Sequence, residues 1–294
     1  MNGFNAQGII STVNMKVLVT GANGQLGREL TLWETVEGIE IVGMGRKELD
    51  ITSLEQCREA FAMVGPDVII NCAAYTSVDQ AESAVEEAYQ INASGARNVA
   101  IAAREIGAKL IHVSTDYVFD GKGSKPYQEY DATNPQTVYG KSKLVGEHLV
   151  QSLHDRWFIV RTSWVYGAYG VNFVSTMLKL GAERDSLSVV DDQVGSPTFT
   201  KDLAAFLLEL AETEAYGIYH ASSRGSCTWY DFAKAIFQEV GMSVKVNPCT
   251  TEEFPRAAAR PAYSVLDHSA IRVNEFNDFP SWNDALKKFF KKGD

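Results

Sequence analysis

The run Lys16-Val17-Leu18-Val19-Thr20 leads into Gly21-Ala22-Asn23-Gly24-Gln25-Leu26-Gly27 and then into Arg28-Glu29-Leu30-Thr31-Leu32-Trp33. A short apolar, β-branched run reads as a strand buried on both faces, and such strands belong to parallel sheets. The residues after the glycines read as helix. Glycines at every third position, placed between strand and helix, leave few folds open. The first permits a tight turn, the second lets the backbone approach a pyrophosphate, and the third lets helix and strand pack closely. The helix start adds unpaired N–H groups and a positive dipole end. The expectation is a Rossmann-like, doubly wound parallel α/β sheet that binds a dinucleotide at this turn, with a smaller C-terminal domain for the substrate.

Residues 39–44 read as the second strand. NAD sites commonly place Asp or Glu at its end, on the ribose 2′-OH. Here Gly45-Arg46 stands there. A guanidinium without a carboxylate suits a 2′-phosphate, so NADPH is the expected cofactor. NADH stays open, because Glu48 or Asp50 could serve the ribose. Residues 67–74, 109–114, 157–162 and 217–221 read as further strands. Strand ends line the ligand crevice of such a sheet. That points to Ala73-Ala74-Tyr75-Thr76, where small residues let a cofactor pass, and to Ser114-Thr115-Asp116. Residues 81–103 read as one helix. Asn92 in its middle is unfavourable there, and either bonds something specific or faces solvent.

Tyr139 and Lys143 are separated by three residues at the start of another helical stretch. Positions four apart share a helix face, so a phenol and an ammonium should meet in one small volume. A free phenol releases its proton near pH ~10; a fixed cation nearby favours the phenolate and suits it to acid–base chemistry. Tyr and Lys at this spacing also occur on solvated helices. The pair takes its meaning from the dinucleotide motif and from Thr115, which could hydrogen-bond a substrate carbonyl beside Tyr139.

Composition narrows the partners. A net charge of −10 argues against a nucleic-acid binder. No stretch of about 18 apolar residues suggests a membrane span, and residues 1–14 lack the features of a secretory signal. Those residues are expected to form a flexible N-terminal extension. Cys57, Cys72, Cys227 and Cys249 form no C-x-x-C pair, which fits reduced thiols and a cytoplasmic location. The histidines show no metal-ligand spacing, so no metal is expected.

The motifs together resemble the extended short-chain dehydrogenase/reductase family, and within it the dTDP-4-dehydrorhamnose reductases. The resemblance rests on the glycine run, Ala73-Ala74-Tyr75-Thr76, Val78-Asp79-x-Ala81-Glu82, Ser114 to Gly121 and Tyr139-x-x-x-Lys143. It continues through Arg161 to Gly167, Asn172-Phe173, Gly195-Ser196-Pro197-Thr198 and Arg260-Pro261. It covers nearly everything from Met15 onward. It implies a reductase that passes hydride from nicotinamide to the C4 ketone of dTDP-4-dehydro-β-L-rhamnose, giving dTDP-L-rhamnose. Tyr139 would donate the proton, Lys143 would hold the nicotinamide ribose, and Thr115 would support the carbonyl. The cofactor would lie against Gly21, Asn23, Gly24, Gln25, Leu26, Gly27, Arg46, Asp50, Ile51, Ala73, Ala74, Tyr75, Asn92, Ser114, Tyr139 and Lys143. The nucleotide sugar would meet Thr115, Asp116, Trp164, Asn172 and Arg260, the last as a fork for the diphosphate. Trp164 could cover a sugar face or a base, or belong to the core.

Residues 15–165 are expected to form the nucleotide domain, joined by a returning strand near 217–221, and residues 166–294 mainly the substrate domain. A homodimer is possible. Some members of the resembled family dimerise through a metal held by acidic residues, and Glu29 matches one such position. Two other readings share the fold. One is a non-catalytic, cofactor-binding subunit like that of methionine adenosyltransferase; the other is a nucleotide-sugar epimerase. An intact Thr115, Tyr139 and Lys143 favours the reductase.

Overall fold

The computed structural model describes residues 15–33 and 38–291. The expected N-terminal extension lies outside the described residues. The chain begins with β1 (Met15–Thr20), α1 (Gln25–Thr31), β2 (Ile39–Met44), α2 (Leu54–Val64) and β3 (Val68–Asn71). It continues through α3 (Val78–Ala81), α4 (Val85–Tyr89), α5 (Ala96–Glu105), β4 (Lys109–Thr115), α6 (Val138–Leu153) and β5 (Trp157–Thr162). These strands, with β10 (Gly217–His220), form a six-stranded sheet in the order β10-β5-β4-β3-β1-β2. Every pairing in it is parallel. β1 lies between β2 and β3, with Val17 opposite both Ile41 and Val68.

The apolar runs explain the sheet. All four side chains of β3 are buried, as are Val17, Leu18 and Val19 of β1. Alternate residues feed opposite cores. Val17, Val19, Val68 and Ile70 join one; Leu18, Ile69 and Leu110 join the other, with Phe61 of α2 and Val99 of α5. Each fully buried Val, Leu or Ile contributes roughly 1.5–3 kcal/mol, so two-sided burial is what makes the strands central.

After β5 the chain leaves this sheet, returns to it once as a strand, and leaves it again. It passes through β6 (Val165–Tyr166), α7 (Phe173–Glu183), β7 (Ser186–Val190), β8 (Val194–Gly195) and β9 (Thr198–Phe199). α8 (Thr200–Ala211) then packs into the core that contains Leu26 and Leu30 of α1, and β10 (Gly217–His220) pairs with β5. The second excursion holds β11 (Cys227–Thr228), α9 (Trp229–Glu239) and β12 (Lys245–Cys249). α10 (Ser269–Val273) and α11 (Trp282–Phe290) complete the described chain. β12 pairs with β7, and α7, α9 and α11 share a separate core around Tyr166, Phe232 and Leu286. A boundary at residue 165 therefore does not capture α8, which lies between the two excursions and against the nucleotide half.

The helix read over 81–103 is in fact broken. α3 ends at Ala81, α4 spans Val85–Tyr89, and a π-helical turn over Gln90–Gly95 precedes α5. At its end the π-helical turn packs closely on Ile51, whose Cδ1 would lie 2.6 Å from a β-carbon on Gly95. The wide turn also directs Asn92 inward.

Candidate active site

A cleft of about 1310 Å³ runs across the ends of the sheet strands and into the second half of the chain. At one end lie Gly21, Asn23, Gly24, Gln25, Leu26 and Gly27. Gly21 has a φ of +65°, and a β-carbon there would come within 2.7 Å of Ala73 N. Only glycine meets both demands. A β-carbon on Gly27 would lie 2.3 Å from the Gly21 carbonyl oxygen, the close packing expected of the third glycine. Gly24 caps α1 without a side-chain hydrogen bond, so no side chain occupies the helix's first N–H groups. These features fit a dinucleotide pyrophosphate. Gln25 also ties the turn to the second half: its Nε2 donates to Val165 O at 3.3 Å and its Oε1 accepts from Asn172 Nδ2 at 2.8 Å.

Arg46 is exposed and lines the cleft, beside Asp50 and Ile51. The two carboxylates that could compete for the ribose are engaged locally. Glu48 Oε2 accepts from Gly45 N at 3.0 Å, and Asp50 Oδ1 accepts from Thr52 N and Oγ1 at 3.0 and 2.8 Å. Arg46 is the cation at the end of β2 that lines the cleft.

Ala73, Ala74 and Ser114 line the cleft; Tyr75, Asn92 and Asn172 do not. Asn92 is buried, and its amide is used inside the protein. Oδ1 accepts from Tyr75 N at 2.8 Å, while Nδ2 donates to Tyr75 O at 3.1 Å and Ser142 Oγ at 3.0 Å. It bonds something specific, as one reading expected, but that something is the backbone behind the cofactor loop and the helix carrying Tyr139. Asn172 caps α7 through Ser175 N at 3.0 Å and holds Gln25. Direct contact of Asn92 with cofactor, and of Asn172 with substrate, is replaced by these supporting bonds.

Tyr139 and Lys143 share one buried face of α6, as their spacing requires. Thr137 starts the helix, its side chain accepting from Gly140 N at 3.0 Å. A β-carbon on Gly140 would sit 2.2 Å from Tyr117 O, so the helix packs directly on the turn after β4. Tyr117 meets Tyr139 edge-on at 5.4 Å. The electrostatics differ from expectation. Burial pushes the Tyr139 phenol up to about 12; the Thr115 hydroxyl pulls the other way and Asp116 adds to the rise. Lys143 is held apart by its own bond. Its Nζ donates to Val113 O at 2.6 Å, and burial brings it down to about 8 against the opposing charges of Glu147 and Cys72. The phenol is thus held neutral, in the form that gives a proton rather than takes one.

Asp116 is buried in the same cleft, and burial raises it to about 6 despite the hydrogen bond from Thr115. Its Oδ1 accepts from Thr115 Oγ1 at 3.0 Å, while its Oδ2 has no protein partner. Behind Lys143, one turn along α6, Glu147 accepts from Arg161 Nη2 and Nε at 2.7 and 3.0 Å, with both side chains buried.

The second half supplies the remaining lining. Trp164 adopts a φ of +48°, a strained conformation for a bulky residue. Its ring stacks on Trp229 with centroids 3.5 Å apart and 7° between planes. Arg260 lines the cleft, yet its Nη2 bonds Asp79 Oδ2 at 2.6 Å. Trp229, Arg184 and Arg256 also line the cleft and were not anticipated. They lie on or beside α7, α9 and the loop after β12, where no motif marks them. Among the described residues no cluster of His, Cys, Asp and Glu could hold a metal ion. Glu29 accepts from Thr200 Oγ1 at 2.7 Å. No helix among the described residues is long and apolar enough to cross a membrane.

A parallel doubly wound sheet, a glycine-rich turn open to phosphate and a buried Tyr–Lys pair in the same cleft define an NAD(P)-dependent oxidoreductase. Comparison with known proteins narrows the class. The RmlD substrate binding domain family matches residues 15–294. A dTDP-4-dehydrorhamnose reductase from Aggregatibacter actinomycetemcomitans is 46% identical, over 92% of this chain and 97% of the relative. The spore coat polysaccharide biosynthesis protein SpsK of Bacillus subtilis is 47% identical, over 94% and 97%. The crystal structure of a dTDP-4-dehydrorhamnose reductase from Bacillus anthracis in complex with NADP is 50% identical. It aligns with a TM-score of 0.93 over 94% of this chain and 99% of that one. The chain belongs to the RmlD family of dTDP-4-dehydrorhamnose reductases.

Proposed function

We propose that this chain reduces the C4 ketone of dTDP-4-dehydro-β-L-rhamnose to give dTDP-L-rhamnose, preferring NADPH. The observation that carries the proposal is Tyr139, buried and neutral beside Thr115, in the same cleft as a phosphate-binding turn and Arg46. When bound, the reduced nicotinamide supplies the hydride to C4 of the sugar. Tyr139 gives its proton to the oxygen that becomes the C4 hydroxyl, so the alkoxide never has to persist in a buried site. Thr115, whose hydroxyl donates to Asp116 Oδ1 in the free chain, turns that proton to the oxygen. Lys143, fixed by the Val113 carbonyl, presents its remaining N–H groups to the nicotinamide ribose. The α1 N-terminus holds the pyrophosphate and Arg46 the 2′-phosphate. Asp116 offers its unpartnered oxygen to a sugar hydroxyl, the Trp164–Trp229 stack covers an apolar face of the ligand, and Arg260 holds the diphosphate.

The regulatory-subunit reading is not favoured, because a protein that only binds cofactor does not need a buried, neutral proton donor beside a carbonyl-binding hydroxyl. NADPH oxidation should be followed with a panel of 4-keto-6-deoxy nucleotide sugars. Ketone-dependent oxidation, fastest with the dTDP-rhamnose precursor, is the expected result. Cofactor binding without any ketone-dependent oxidation would overturn the reading, and epimerised product with no net NADPH consumption would replace it. We also infer a cytoplasmic location, in keeping with four free cysteines. Light scattering on the purified protein would distinguish a homodimer from a monomer.

A further inference from the structure

Arg260 has a partner that no sequence motif linked to it. Asp79, on the one-turn helix α3, bonds Arg260 Nη2 through Oδ2 at 2.6 Å. The same carboxylate accepts from Ala258 N through Oδ1 at 3.1 Å. Arg260 Nη1 donates to Ala258 O at 3.1 Å. The result is a closed set of bonds in which the carboxylate fixes the Ala258–Arg260 loop at both a backbone and a side-chain point. The two residues are 181 apart in sequence and come from the two halves that form the cleft. Neither side chain is deeply buried, at 34% exposure for Asp79 and 19% for Arg260. Burial works against ionising Asp79, but the Ala258 N–H, the Arg260 guanidinium and the charge of Arg256 outweigh it and hold its carboxyl below the usual range.

We infer that Asp79 is the positioning residue for the diphosphate site, setting the orientation of Arg260 from the nucleotide half of the molecule. This rests on the proposal that Arg260 holds the diphosphate. A half-buried ion pair contributes modestly to stability, and this one also fixes an orientation. A guanidinium has five N–H groups in a rigid plane. Two are used by Asp79 and Ala258, which leaves three in a fixed direction, and Arg260 lines the cleft. Arg256 lines the same cleft, its guanidinium lying over the Phe254 ring at 4.7 Å. Arg256 and Arg260 place two guanidinium groups beside the one Asp79 carboxylate in this cleft, which suits a diphosphate. Asp79 therefore directs one arm without cancelling the site's charge. It also links the halves, because α3 follows the Tyr75 loop that Asn92 holds behind the cofactor site.

The test uses the full-length protein with dTDP and the nucleotide sugar as ligands. Asp79→Ala should raise the Kd for dTDP and the KM for the nucleotide sugar about tenfold, with kcat and the KM for NADPH within about twofold. Asp79→Asn, which keeps an acceptor for Ala258 N but loses the charge, should fall between the two. The deciding variant is Asp79→Ala combined with Arg260→Ala. If Asp79 acts through Arg260, the double variant binds dTDP no more weakly than Arg260→Ala alone. Losses that multiply would overturn the inference. So would parent-like dTDP affinity in Asp79→Ala beside a defective Arg260→Ala. If Arg260→Ala itself binds dTDP normally, the clamp proposal fails and this inference with it.

Discussion

The Lys143 ammonium donates to the Val113 carbonyl at 2.6 Å. It is therefore anchored to the backbone of the central strand β4. The two residues of the pair have separate electrostatic fates. Burial raises the phenol to about 12 and lowers the ammonium to about 8. The lysine, not the tyrosine, then limits activity at alkaline pH. Below about pH 8 it is charged and holds its anchor; above that it loses its proton. Turnover should fall on the alkaline side of about pH 8 by roughly tenfold per pH unit, while Tyr139 stays protonated. A rate profile that is flat to about pH 10 would show that Lys143 is not the limiting group.

Asp116 carries a stability cost with a defined pH dependence. Burial raises its pKa in the folded state from 3.8 to about 6. The folded state therefore binds the proton more tightly than the unfolded chain. The stability this confers is fully present below about pH 3.8 and is lost as pH rises through about 6. Asp116→Asn keeps the size and an acceptor oxygen but cannot ionise. The variant should be more stable than the parent at pH ~7.5 by on the order of 1–3 kcal/mol, and nearly equal to it at pH ~4. Urea unfolding at the two pH values measures this. An equal difference at both would show that the carboxyl's charge is not what matters.

Glu147 and Arg161 form a buried ion pair, at 1% and 3% side-chain exposure. Glu147→Ala would leave the guanidinium buried without its carboxylate, a loss on the order of 3–5 kcal/mol. Ser114, which also bonds Glu147 Oε1, would lose a partner at the cofactor cleft. Chemical denaturation should show the loss in the midpoint. A change below about 1 kcal/mol would mean that water replaces the pair.

Arg46→Ala should weaken NADPH binding by on the order of 1.5–3 kcal/mol and leave NADH nearly unaffected, since only NADPH has the 2′-phosphate. Titration of both cofactors separates the outcomes. Equal effects would remove Arg46 from that role.

The nucleotide half was legible because its signals are local. A strand buried on both faces is an apolar run, and Gly21, Gly24 and Gly27 are spaced by one turn of chain. Tyr139 and Lys143 share a face because helical periodicity puts them there. The π-helical turn at Asn92 was hidden, because the helical pattern of residues 81–103 continues through it. Asn172 carries a cap signal in Ser175, three residues on, which competes with a ligand role for the same side chain. The second half was least legible. Trp229, Arg184 and Arg256 reach the cleft only through tertiary packing. The bond between Asp79 and Arg260 spans 181 residues, a relationship that no local pattern encodes.

The central claim is that Tyr139 supplies the proton for reduction at C4. Tyr139→Phe keeps the ring, its packing on Tyr117 and the cofactor cleft, and removes only the hydroxyl. The decisive measurement is single-turnover oxidation of enzyme-bound NADPH after mixing with dTDP-4-dehydro-β-L-rhamnose. The variant should bind NADPH as the parent does and transfer hydride slower by roughly 10²-fold or more. Transfer at the parent rate would contradict the account and assign the proton to another group.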